Sequence, residues 1–193
     1  GGLTGDSITT GNYNVAVGGA ALDSETAGNN SVAIGTSALT NSNLTTDSNS
    51  YNVAVGSNAG QNVTTGIQNT LIGGLAGDSL TDADFNIAIG TSALATDTLG
   101  SRSVAVGISA LATQNHTTAT DVYNTCVGAL AGTSITDAVR NTIVGGLAGD
   151  ALTSADFNTA VGYGALSSDT LGERSVAVGY HALLSQNRTT ASQ

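Results

Sequence analysis

The sequence predicts an all-β fold, a parallel β-solenoid with 17-residue coils grouped into a 72-residue superrepeat of four coils. Three observations carry this expectation. First, glycine recurs at Gly18, Gly35, Gly56, Gly73, Gly90, Gly107, Gly128, Gly145, Gly162 and Gly179, at spacings of 17, 21, 17, 17, 17, 21, 17, 17 and 17, and Gly1 extends the series backwards. Second, the residue before each of these ten glycines is Val or Ile, the fourth before is Asn or Ser, and the third after is Ala. Third, residues 51–121 and 123–193 are identical at 42 of 71 positions at an offset of 72. A period of 17 is too short for a helix pair and suits one turn of a β-solenoid.

Each part of the coil has a physical reading. Segments such as Val32-Ala33-Ile34 place β-branched residues at i and i+2, on one face of a strand. Stacking coils about 4.8 Å apart sets like on like. The expectation is therefore that Val and Ile form inner ladders and that the closing glycine turns the chain. The Asn or Ser at the fourth position before glycine satisfies turn backbone or forms a ladder of its own. A second short strand is expected near residues 79–85 and 64–69. Coils come in two kinds, with Leu22, Leu39, Leu94, Leu111, Leu166 and Leu183, or Gly60, Gly77, Gly132 and Gly149, after the Ala. The chain is expected to be a single solenoid segment, 1–193, of a longer repetitive fibre, with superrepeats at about 1–50 (partial), 51–122 and 123–193.

If Val and Ile point inwards, the alternate positions point out. These are Ala16, Ala33, Ala54, Ala88, Ala105, Cys126, Ala160 and Ala177, with Leu71 and Ile143 in the same column. A continuous small, apolar face predicts a partner, most simply another copy of the chain, or else cover by the chain's own loops. Five residues before the ten glycines stand Tyr13, Asn30, Tyr51, Gln68, Phe85, Arg102, Tyr123, Arg140, Phe157 and Arg174, a column in which aromatic and long polar residues alternate and rings and guanidinium groups become neighbours. Cation–π stacking between coils makes this a structural ladder, with a sugar-binding stripe as the functional alternative.

Composition narrows the function. The only cations are four arginines against 14 carboxylates, a net charge of −10, which argues against nucleic acid or anionic lipid as a partner. No apolar run approaches the ~18 residues of a membrane span. Catalytic, cofactor and metal sites are not expected. Cys126 reads as a small buried hydrophobe, and His116 and His181 lack a nearby nucleophile or paired ligand. The Gly-Gly-Leu-Ala-Gly-Asp-Ser-Leu stretch at Gly73 returns only every 72 residues, so adjacent turns cannot share a calcium ion.

The two 21-residue spacings hold insertions, 40–50 and 112–122, and 184–193 begins a third. Four coils apart, they should protrude from one edge about 19 Å from one another. Each shares Asn, a variable residue and Thr: Asn43, Leu44, Thr45; Asn115, His116, Thr117; Asn187, Arg188, Thr189. These are the candidate receptor-binding loops, since loops on a rigid scaffold commonly carry binding; the alternative is a tolerated bulge.

The stretches NNSVAIGTSAL, SRSVAVGISAL and ERSVAVGYHAL resemble the head repeats of trimeric autotransporter adhesins of the YadA type. YNTCVGALAG and RNTIVGGLAG resemble related repeats in bacterial surface fibres and phage tail fibres. The resemblance implies a left-handed β-roll, a parallel homotrimer, and an extracellular location on a cell surface or a virion fibre. It also implies a non-enzymatic role in adhesion, with a host receptor or glycan as partner. The 17/17/17/21 rhythm departs from the usual head repeat by its greater length. The alternative function is ice or lattice binding by Thr ladders such as Thr64, Thr81 and Thr98.

Overall fold

The computed structural model describes residues 2–188 and Thr190; Gly1 and Thr189 lie outside the described residues. Ten three-residue strands, from Val15–Val17 to Val176–Val178, form one parallel sheet in which each strand pairs with the next coil's. Register is kept throughout, Val15 with Val32, Ala16 with Ala33, Val17 with Ile34 at the start and Ala160 with Ala177 near the end. It also survives the insertions, since Ala33 pairs with Ala54 and Ala105 with Cys126 across the 21-residue coils. Among the described residues there is no helix, and so none long and apolar enough to cross a membrane.

The faces of the sheet are the reverse of the sequence expectation. Ala33, Ala54, Ala88, Ala105, Cys126 and Ala160 are fully buried, Ala177 is nearly so, and Ala16 packs against the same core. They are interior residues of the solenoid and do not face a partner. The Val and Ile residues look outward: Val15, Val17, Ile34, Ile72, Ile87, Val144, Val176 and Val178 are all exposed. The alternation along the strand is the predicted one, with the opposite side facing the interior. A three-residue strand offers its middle residue to one face and its two ends to the other. The middle residue shares its side of the sheet with the Ala and Leu of the turn, Ala38 and Leu39 for example, both fully buried. In the Leu coils that narrow interior takes one Ala per strand and the bulkier pair goes outside; where glycine replaces the turn Leu, the freed volume admits Leu71 and Ile143.

The second short strand expected at 64–69 and 79–85 is absent; both stretches are turns and bends tied to the next coil by single backbone bonds such as Thr64 N–H to Thr81 O (2.9 Å). Extra strand pairs form instead beside the insertions, Gly28–Asn29 with Ser48–Asn49 and Gly100–Ser101 with Thr120–Asp121. The buried Asn ladder is present: Asn86 Nδ2 donates to Gly100 O (2.9 Å), while its Oδ1 accepts from Ser103 N–H (2.8 Å).

Three non-strand columns per coil lie in the left-handed region. The column of Tyr51 and Arg102 has φ of 49° and 65°, and the columns of Ser37 (57°) and Leu39 (49°) follow the closing glycine. No member of these columns is β-branched, and β-branched side chains tolerate this region worst. The closing glycines have φ of 127° to 140°. A Cβ on Gly73 would lie 2.6 Å from the carbonyl carbon of Gly90, so the stacked glycines are a packing requirement as well as a turn.

Candidate functional site

The two kinds of coil differ by more than Leu against Gly. Seven residues after the closing glycine, the Gly coils carry Val63, Leu80, Ile135 and Leu152, all fully buried. These fill the volume that Leu occupies in the other coils; a Cβ on Gly77 would meet Leu80 Cδ1 at 2.9 Å and Leu71 Cδ2 at 2.7 Å. In the Leu coils the same column is polar: Glu25 and Ser42, Asp97 and Gln114, Asp169 and Gln186. Glu25, Asp97 and Asp169 are buried to 1% exposure or less. Each superrepeat thus sets one carboxylate in the core, one coil before an insertion.

The carboxylates fasten the insertions. Asp97 Oδ1 accepts from the backbone N–H of Gly100 (3.1 Å) and of His116 (2.9 Å), and Oδ2 accepts from Gln114 Nε2. Gln114 Nε2 also donates to Ser103 Oγ (2.9 Å), and its Oε1 accepts from Asn124 Nδ2 (2.9 Å). Asp169 repeats the pattern with Gly172 N–H (3.0 Å), Arg188 N–H (2.9 Å) and Gln186 Nε2 (2.5 Å). Glu25 is a longer version. Its Oε1 accepts from Gly28 N–H (2.7 Å) and Leu44 N–H (3.0 Å), and its Oε2 from Ser42 Oγ (2.7 Å). A buried carboxylate needs several donors to offset its lost hydration, and here neutral donors supply them. The glycine three residues on makes room: a Cβ on Gly100 would lie 2.2 Å from Asp97 Oδ2.

The sequence expectation contains no such clamp. The signal is an acid, three residues before a glycine, in a column that holds Val, Leu or Ile in the Gly coils and a small or amide polar residue in the coil that follows, repeated at 25, 97 and 169.

The predicted loop residues divide accordingly. The Asn residues join the neighbouring Thr ladder: Asn43 Oδ1 accepts from Thr26 Oγ1 (2.9 Å), Asn115 Oδ1 from Thr98 Oγ1 (3.3 Å) and Asn187 Oδ1 from Thr170 Oγ1 (3.4 Å). Thr45, Thr117 and Arg188 are exposed, and Leu44 is half-buried. His116 is not displayed; its side chain is 6% exposed and turns inward. Its Nδ1 stands 3.7 Å from Asp97 Oδ2, and its Nε2 lies 3.1 Å from the carbonyl oxygen of Asp137. Thr189 lies outside the described residues.

Burial raises the Asp97 carboxyl, but hydrogen bonds from His116 and Gln114 outweigh it, and the group sits below the ordinary Asp value. For His116, burial pulls the imidazole down; the Asp97 carboxylate and the Asp137 carbonyl outweigh that, and the net shift is upward. Burial pushes the Cys126 thiol far above its ordinary value.

The ring and arginine column forms along the outside of the turn. Arg102 lies over Phe85 (4.7 Å to the centroid) and near Tyr123 (5.9 Å), while Arg140 (5.5 Å) and Arg174 (5.3 Å) flank Phe157. Tyr13 and Tyr51 are exposed members of the same column. Beside the second insertion this column floors an open cleft of about 590 Å³, lined by Asp82, Asp84, Phe85, Arg102, Thr120 and Asp121. Arg102 pairs there with Asp121 (3.2 Å). The Thr ladder turns its hydroxyls to the next coil: Thr64 donates to Thr81 O (3.2 Å), Thr81 to Thr98 O (3.0 Å) and Thr98 to His116 O (2.9 Å).

Comparison with known proteins identifies one repeat. The YadA head domain repeat matches in two copies, over residues 23–41, 99–120 and 159–182. The strands inside these segments all belong to Leu coils. No curated protein and no solved structure gives a significant match.

Proposed function

From the premise that the chain carries YadA-like head repeats, we propose that it is a rigid, adhesin-like segment of an extracellular fibre, built as a parallel homotrimer and presenting its insertions to a host surface. The observation that carries this reading is the outer face of the ten-stranded sheet. In all ten coils the residue before the closing glycine is Val or Ile. The other outward position is Val, Ile or, at Thr70, Thr125, Thr142 and Thr159, Thr. A face of this kind along the whole rod is suited to another apolar surface, and an identical copy in register is the simplest one. Removing the remaining exposed area of each Val or Ile gains about 1 kcal/mol, multiplied along the rod.

The role is mechanical and adhesive rather than catalytic. Carboxylate-anchored loops repeat along one edge, and multivalent display at fixed spacing favours attachment to a surface. The Thr ladder gives less support to lattice binding, because its hydroxyl protons are directed to backbone carbonyls of the rod itself. Sedimentation equilibrium tests the assembly. The expected species is a trimer; a stable, β-rich monomer at micromolar concentration overturns the proposal. Attachment is then tested by binding of the trimer to host cells, with the exposed Thr45 and Thr117 replaced by Ala as the loop variants.

A further inference from the structure

We propose that the insertion carrying His116 is an acid-fastened loop, held by a buried imidazolium between Asp97 and the Asp137 carbonyl and loosened when the ring loses its proton. The argument begins from hydrogen-bond accounting. Nε2 of His116 faces a carbonyl oxygen at 3.1 Å, which can only accept. Nδ1 is buried, has no hydrogen-bond partner within bonding distance, and faces a carboxylate oxygen at 3.7 Å, which also accepts. A neutral imidazole has one N–H, so in either tautomer one ring nitrogen turns a lone pair towards an acceptor. Only the cation meets both. The carboxylate is fully buried, so a lone pair opposite it is not relieved by water.

The surrounding charges agree. Asp97 comes from the preceding coil and Asp137 from the following one; both act on His116 and both favour its protonated form. The coil-to-coil comparison isolates the effect. Leu44 and Arg188 occupy the same loop position in the other two superrepeats, and their backbone N–H groups bind Glu25 and Asp169 as that of His116 binds Asp97. The backbone clamp is common to all three loops. The titrating side chain belongs to one. The 112–122 loop also supplies Thr120 and Asp121 to the cleft beside it, so its loosening opens that wall.

The sign follows from the upward shift. Stability contributed by the protonated ring is fully present below the unfolded His value of about 6.5 and is lost as pH rises through the folded value. The Asp97 half is present above the ordinary Asp value of 3.8 and lost as pH falls through its depressed folded value. The pair is therefore tightest in mild acid.

This inference does not rest on the adhesive role or on the trimer. Its test uses the full chain. A ¹⁵N-detected titration of His116 should show both ring nitrogens protonated in mild acid and a midpoint above that of an unstructured His. Amide exchange, corrected for intrinsic rates, should show protection of His116 and its loop neighbours falling as pH rises above the unfolded His value of about 6.5 and through the folded value. Protection of Leu44 should stay level across the same range. His116→Leu, which installs the residue of the first loop, should remove the pH dependence. A His116 midpoint at or below the unstructured value, or pH-independent protection in the wild-type chain, overturns the proposal whether or not the variant folds.

Discussion

Replacing Asn86 by Ala tests the idea that the solenoid is held by its buried amide ladder as much as by its apolar core. Asn86 is fully buried. The substitution removes its bonds to Gly100 O (2.9 Å) and from Ser103 N–H (2.8 Å), leaving a carbonyl and an amide buried without partners. Each orphaned group costs about 1–3 kcal/mol, so the expected loss is about 2–6 kcal/mol before any cavity is counted. In a linear array the loss falls on the contact between neighbouring coils, because each coil touches only those on either side. The assay is urea unfolding followed by circular dichroism at fixed protomer concentration. Asn41→Ala is the control, since the exposed Asn41 side chain donates to Asn62 Oδ1 (3.0 Å) and its loss should cost less than about 0.5 kcal/mol. If Asn86→Ala falls within about 1 kcal/mol of the control, the ladder is not a major source of stability and the reasoning fails.

Four further outcomes follow from the geometry. Ile89→Asp, on the outer sheet face, should leave the coil folded and dissociate the assembly in sedimentation, whereas Ala88→Leu, one residue away and fully buried, should lower the unfolding midpoint by overpacking worth about 1–3 kcal/mol. Gly73→Ala should destabilise strongly, because its Cβ would meet the Gly90 backbone at 2.6 Å, while Gly74→Ala, whose nearest contact is 3.9 Å, should leave thermal unfolding nearly unchanged. Burial raises the Asp150 carboxyl, and its Oδ1 has no hydrogen-bond partner; Asp150→Asn should therefore raise stability at pH 7, and denaturant titrations should show the gain vanishing below the unfolded Asp value of 3.8. Cys126 should not react with a thiol reagent until the chain unfolds, which a timed colorimetric assay reads directly.

Some of this was visible one residue at a time. The closing glycines, the β-branched flanks and the Asn ladder are local demands repeated in every coil, so a single chain displays them by self-comparison. The aromatic and arginine neighbours were also legible, because coil stacking converts a spacing of 17 or 21 residues into contact, as at Phe85, Arg102 and Tyr123. The clamp was harder to read. Asp97, Gln114, Ser103 and His116 lie in two coils, and nothing local marks Asp97 as buried when Asp82 and Asp84, a coil earlier, are lining an open cleft. His116 shows the same limit. In sequence it looks like the variable tip of a loop, and in space its ring is drawn inward by an acid 19 positions away.

The period, the parallel stacking, the register across the insertions and the position of each turn are written in the chain itself, because these depend on spacing and on backbone tolerance for glycine and non-β-branched residues. Which side of the strand is the inside emerges only in the folded coil. Alternation has period two and is blind to sign. The sign is set by volume, and a coil whose turn already delivers an Ala and a Leu to the core has room for Ala33 but not for Val32 and Ile34 together. The tertiary structure likewise decided the fate of the buried carboxylates, since only the folded coil brings backbone N–H groups from the insertion to Glu25, Asp97 and Asp169.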